Sequence, residues 1–64
     1  MDKGIKPGDI VIKALGNDAG LKGMVLEVET NSLNNSFVTV MLLGEMVEKL
    51  WYVNLVEIVY DKEN

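Results

Sequence analysis

The chain has 64 residues, the size of one small domain, and contains neither cysteine nor histidine, which excludes disulfide bonds and histidine-based metal sites. Its six basic residues are all lysine, and its ten acidic residues bring the net charge to −4. Because arginine is the usual ligand for phosphate and guanine, and because negative charges repel a phosphate backbone, we expect no binding of duplex DNA.

The hydropathy of the chain argues against a membrane protein. No apolar run approaches the ~20 residues that a membrane-spanning helix needs. The N-terminus, MDKGIKPGD, has no apolar signal-peptide core. Together with the lack of cysteine, these features predict a cytoplasmic protein with no membrane contact.

Turn residues divide the chain into five short apolar segments. Pro7-Gly8 predicts a turn capped by Asp9, and residues 16–20 (GNDAG) and 31–36 (NSLNNS) predict loops, the latter with a hairpin turn at Asn34-Asn35. The segments between them are rich in β-branched residues or alternate between apolar and polar, which is typical of strands. The predicted strands cover 9–15, 23–30, 37–43, 46–53 and 57–60, with a single 3₁₀ turn at 53–56.

The last third of the chain also permits a helix. Met46, Leu50 and Val53 have the i, i+4, i+7 spacing of a helix face, and the residues around them favour helix. However, the apolar positions of this segment would surround such a helix on every side, and its later half is β-branched. We therefore favour strands.

Five short strands with regular turns predict an all-β fold, a five-stranded antiparallel small barrel of the SH3-like kind. Closure would remove sheet edges that an apolar chain otherwise exposes. We expect a single domain over 1–64, with its folded part at 7–60 and tails at 1–6 and 61–64. The predicted core residues are Val11, Val25, Val38, Val40, Leu55 and Ile58.

The segments KPGDIVIK, GMVLEV, FVTVMLLG and LWYVNLVEIV resemble the KOW and wider SH3-like small-barrel families over residues 7–60. The chain also resembles short stand-alone barrels of tailed bacteriophages, which combine a Gly-Asp opening with a tryptophan in the fourth strand. The resemblance implies a binding module, and host cytoplasm or virion as its location. Nucleic-acid-binding members usually carry basic residues in the loop after the first strand, whereas residues 16–20 here have none. The matching positions are Gly8-Asp9, Gly20, Gly23, Val25, Val38, Val40, Leu55, and Ile58 or Val59.

Few residues have the chemistry that catalysis needs. Gly20 and Gly23 flank a loop that lacks the Lys-Ser/Thr and helix of a phosphate-binding loop. We therefore expect both glycines to permit the backbone bend that enters the second strand. Glu27 and Glu29 lie two apart on one strand, with no histidine, cysteine or arginine to complete an acid–base site. We expect no enzymatic activity, no catalytic residue, no cofactor and no metal.

The third strand carries the strongest functional signal. It is apolar at both parities, with Phe37 and Met41 on one face and Val38 and Val40 on the other, and one barrel interior can bury only one set. An apolar face left over usually contacts another protein. Trp51 and Tyr52 are adjacent, so one of them points outward, where Phe37 or Tyr60 could complete an aromatic patch. The candidate partner-binding residues are Phe37, Met41, Met46, Trp51 and Tyr52.

The sequence thus predicts a non-enzymatic protein-interaction module, such as a small phage-type accessory or regulatory protein, whose partner is another protein or a second copy of itself. Two alternatives remain open. One is a KOW-like domain that binds RNA or single strands, which the negative charge disfavours. The other is a structural or assembly component that forms a homo-oligomer.

Overall fold

The computed structural model describes residues 4–59, and these form an all-β fold with one sheet of five antiparallel strands. A single 3₁₀ turn, η1 (Val53–Leu55), separates the fourth and fifth strands. The sheet order is β4-β3-β2-β1-β5. The strands are β1 (Ile10–Lys13), β2 (Lys22–Thr30), β3 (Ser36–Leu42), β4 (Glu48–Tyr52) and β5 (Val56–Ile58).

All five predicted strands are confirmed, as is the 3₁₀ turn before the last of them. The helix considered for the last third of the chain is absent, since β4, η1 and β5 occupy that segment. The observed strands are mostly shorter than predicted, because the apolar runs continue into turns at both ends. Residues 1–3 and 60–64, which include the predicted C-terminal tail and the end of the fifth strand, lie outside the described residues.

One side of the sheet carries the whole hydrophobic core. Five valines from β1, β2, β3 and β5 lie there with 0–1% of their surface exposed, which a single flat sheet cannot achieve. No second layer covers this side within residues 4–59, so the sheet itself must curl over its own inner face. The core comprises Val11, Val25, Val38, Val40, Leu42, Trp51, Val53 and Val56.

Four of the six predicted core residues are buried, but Leu55 and Ile58 are only half-buried. The 3₁₀ turn explains Leu55. In a 3₁₀ turn residues i and i+3 lie on the same side, so Val53 and Val56 both point into the core and Leu55 between them points aside. Ile58 still packs against the core and pairs with Val11 across β1 and β5.

Two of the predicted turns have the expected chemistry. Asp9 closes the turn at Pro7-Gly8, because its carboxylate accepts the Lys6 backbone N–H at 3.0 Å. In the β2–β3 hairpin, Asn34 adopts a left-handed backbone with φ of 66°. The Asn31 side-chain oxygen accepts two backbone N–H groups of the same loop, which fixes the turn without a glycine.

Gly23 has a steric function that differs from the backbone bend predicted for it. A Cβ atom at this position would lie 2.9 Å from Cγ2 of Val40 and 3.0 Å from the carbonyl oxygen of Met41. Gly23 is buried in β2 directly beside β3, and it lets the two strands approach over the core.

Candidate protein-contact face

The two faces of β3 have different surroundings. Val38, Val40 and Leu42 point into the core and are 0–6% exposed. Phe37, Thr39 and Met41 alternate with them and point away from the core, where they remain half-exposed. The set that lies outside the core is therefore the one with Phe37 and Met41, which the sequence alone does not reveal.

Directly opposed residues of antiparallel strands share a face, so the pairing register identifies the neighbours of these side chains on β2 and β4. We call this surface the outer face. It consists of three cross-strand rows, with apolar side chains running through every row. The rows are Met24–Met41–Glu48, Glu27–Thr39–Leu50 and Glu29–Phe37–Tyr52.

The aromatic end of the outer face is formed by Phe37 and Tyr52. Their rings meet edge to face, with centroids 6.0 Å apart and planes at 87°. They border a groove of about 250 Å³ together with Leu50 and Trp51. The predicted aromatic patch thus exists with Tyr52 as its outward member, whereas Tyr60 lies outside the described residues.

The opposite end of the outer face is rich in methionine. Met24 and Met41 pair across β2 and β3, and Met46 extends from the following turn with 92% of its surface exposed. These three side chains border an open groove of about 410 Å³ that also includes Glu45. Methionine is flexible and polarizable, which suits a surface that adapts to a partner.

A β-bulge in β2 places carboxylates on the outer face. The pairing with β3 shifts between Val25 and Glu27, so Leu26 is the extra residue. Without this shift, simple alternation from Met24 would turn Glu27 and Glu29 to the inner side. With it, both carboxylates share the outer face with Met24. No feature of the sequence indicated the bulge.

Four of the five candidate contact residues lie at the outer face or its adjoining turn, while Trp51 lies on the opposite side of β4 and is 4% exposed. Its indole N–H donates to the Asp18 carboxylate at 3.3 Å, and the Lys13 ammonium lies 5.6 Å from its ring centre. The same ammonium donates to the carbonyl of Asn17 at 2.6 Å. Trp51 therefore fastens the loop after β1 to the core.

The outer face also includes Met24 and Leu50, which are not among the five candidate contact residues predicted from the sequence. Both are exposed, by 39% and 64% respectively. Successive side chains of β4 point to opposite faces of the sheet. Because Trp51 points into the core, its neighbour Leu50 points outward, on the same face as Tyr52. Met24 depends on the register of β2, which the bulge obscures.

The glutamate pair considered as an acid–base or cation site is not completed by other side chains among the described residues. Glu27 and Glu29 are exposed on the outer face, as expected for a solvated pair. Within residues 4–59, no three acidic side chains come together in a way that could hold a metal ion. The same part of the chain has no helix long and apolar enough to cross a bilayer.

Comparison of the chain with protein-family models, with curated proteins and with solved structures finds no match.

Proposed function

We propose that this protein is a non-enzymatic interaction module that binds a protein partner through the outer face of β2, β3 and β4. One observation carries the proposal: large apolar side chains in or beside all three rows of the outer face are exposed or half-exposed, on a face that the core does not need. Those side chains are Met24, Phe37, Met41, Met46, Leu50 and Tyr52.

The energetics favour a use for this face. Fully burying one such side chain contributes about 1.5–3 kcal/mol, so covering three of them gives several kcal/mol before the entropic cost of association. Contiguous apolar patches larger than a few hundred Å² are uncommon on monomers without partners. The two grooves, one aromatic and one rich in methionine, offer separate places for partner side chains.

A protein partner fits this surface better than a nucleic acid does. Glu27, Glu29 and Glu48 share the outer face, and phosphate groups placed there would meet like charges. Stacking of bases on Phe37 and Tyr52 would need a basic surround for the backbone. This supports the interaction module over the KOW-like alternative.

The finer identity of the fold belongs to the same proposal. We interpret the curled five-stranded sheet as an SH3-like, KOW-like small barrel, of the kind used by small accessory or regulatory proteins of tailed phages. The supporting features are the Gly8-Asp9 opening, the 3₁₀ turn before the last strand and the tryptophan in β4. Such barrels carry many functions, so the fold alone does not define the role.

The test compares two exposed leucines. Leu50 is 64% exposed on the outer face, and Leu33 is 77% exposed in the β2–β3 loop, so Leu50→Ser and Leu33→Ser both preserve the core. We expect a purified partner, first recovered from host extract, to bind the wild-type chain and Leu33→Ser equally and to lose at least tenfold affinity for Leu50→Ser. Equal affinity for all three proteins would contradict the proposal.

A further inference from the structure

We propose that the occupant of the outer face is an extended, basic amphipathic peptide segment of a partner protein. Its two apolar side chains would enter the two grooves, and flanking lysine or arginine side chains would meet the carboxylates of this face. The inference rests on the proposed function and adds the chemistry of the partner.

The spacing of the grooves sets the spacing of the anchors. Met41 borders the methionine-rich groove and Phe37 borders the aromatic groove, and they lie four residues apart on β3. At about 3.3 Å per residue of strand, the grooves are about 13 Å apart. In an extended segment, side chains i and i+4 lie on one face at the same distance from each other. Side chain i+2 is on the same face and would lie over Thr39.

Carboxylates accompany the apolar side chains in every row of the outer face. Glu48 ends the row of Met24 and Met41, Glu27 begins the row that ends at Leu50, and Glu29 begins the aromatic row. Glu45 borders the methionine-rich groove. The apolar surface is therefore surrounded by negative charge, which favours a cationic partner and speeds its association.

The described lysines do not neutralise this charge. Lys13 is buried against Trp51, Lys49 lies 3.7 Å from the Asp18 carboxylate, and Lys6 lies 3.8 Å from that of Asp9. Lys22 is two residues before Met24 on the same side of β2, at the end of the strand away from Glu27 and Glu29. Among residues 4–59 it is the one cation on this side of β2–β4.

A second copy of the chain suits the face less well. If two outer faces packed against each other, their negatively charged carboxylates would come close together, and like charges at an interface oppose association. The overall charge of −4 acts in the same direction. A cationic segment gains from the same groups that hinder self-association.

The experiment uses three fluorescent peptides with two leucines four residues apart, flanked by lysine, glutamine or glutamate. We expect the lysine peptide to bind the full chain about tenfold or more tightly than the glutamine peptide, and the glutamate peptide to bind most weakly. Raising the salt from about 0.01 M to 1 M shortens the screening length from about 30 Å to 3 Å and should remove most of this difference. A lysine peptide with adjacent leucines, which cannot reach both grooves, should lose affinity.

Matched variants assign the effect to the face. Replacing Glu27, Glu29 and Glu48 together by glutamine should bring the lysine peptide to the affinity of the glutamine peptide. Glu57→Gln is the control, because Glu57 is exposed on β5 at the other edge of the sheet. It should leave the preference intact.

The outcomes separate the two proposals. Equal binding of all three peptides that Leu50→Ser abolishes would overturn the basic-segment inference and leave the docking face standing. Binding of no peptide, or binding that Leu50→Ser does not change, would overturn both for this class of partner. A dimer of the chain that Leu50→Ser dissociates, measured by sedimentation equilibrium, would identify a second copy as the occupant and overturn the inference alone.

Discussion

The two faces of β3 both carry apolar side chains but differ in how deeply those side chains are buried. The inner face consists of Val38, Val40 and Leu42, and the two valines are fully buried. The outer face carries the bulkier Phe37 and Met41 around Thr39. Hydrophobicity alone does not distinguish the faces, whereas side-chain shape does.

The core as a whole supports this distinction. Its five fully buried side chains are all valine, from β1, β2, β3 and β5. Short β-branched side chains fit the narrow space inside one curled sheet and are already restricted in rotamer, so their burial costs little entropy. Longer, flexible side chains fit there less well, and in this fold most of them lie outside.

The largest effect is expected when the same substitution is made on each face of β3. Val40→Ser removes fully buried methyl groups and buries a hydroxyl without a built partner, which should cost more than about 3 kcal/mol. Met41→Ser should cost less than half as much, since Met41 is only half-buried. Urea unfolding followed by the fluorescence of the single tryptophan, Trp51, measures both. Equal losses would show that both faces are needed for folding.

Gly23 gives a sharper test of how closely β2 approaches β3. Gly23→Ala places a methyl group against the Val40 side chain and the Met41 carbonyl, and should cost about 2–3 kcal/mol. Gly44→Asn is the control, because Gly44 has a φ of +81°, nothing lies within 4 Å of its Cβ position, and asparagine tolerates this conformation. Thermal unfolding should show a clear loss for the first variant and a smaller one for the second, which strains only its own backbone.

The 3₁₀ turn predicts an inverted order for two neighbouring residues. Val56→Ala should cost about 2 kcal/mol, because Val56 is completely buried and two carbons are removed. Leu55→Ala removes more carbon atoms but should cost less, since Leu55 is half-exposed. If Leu55→Ala lowered the melting temperature more than Val56→Ala, the 3₁₀ turn would place Leu55 in the core instead of Val56.

The smallest effect is expected at Asp18, which links the loop after β1 to Trp51 and Lys49. Asp18→Ala removes the acceptor for the indole N–H and strains a backbone with φ of 69°, for a loss of about 1 kcal/mol. Asp18→Asn keeps an acceptor and tolerates the conformation, and it loses only a partly exposed ion pair worth less than about 1 kcal/mol. Urea unfolding in which both variants lose the same stability would assign the effect to the charge instead.

Much of the fold could be predicted from the sequence because the signals are local. Turn residues such as Pro7-Gly8 and Asn34 act within a few positions, and β-branched runs between them favour strands. Even the 3₁₀ turn follows from the short VNLV step. The positions of turns and strands could therefore be predicted, because they depend mainly on residues that are neighbours in the chain.

Three features could not be predicted in the same way. The inner face of β3 was ambiguous because both parities are apolar. Val56 rather than the predicted Leu55 points into the core, because a 3₁₀ turn repeats every three residues and not every two. The position of Glu27 and Glu29 depended on a bulge against β3. Phe37, Met41, Met46 and Tyr52 therefore lie together at the outer face or its turn, as the sequence suggested, whereas the carboxylates beside them were not predicted.

The central claim, that the outer face is the contact face, is tested most directly by mapping amide chemical shifts of the full chain while the lysine-flanked peptide is added. The largest changes are expected on β2, β3 and β4 and at Met46, whereas residues 16–20 and β5 should stay nearly unchanged. Changes concentrated in residues 16–20 or along β1 and β5 would contradict it.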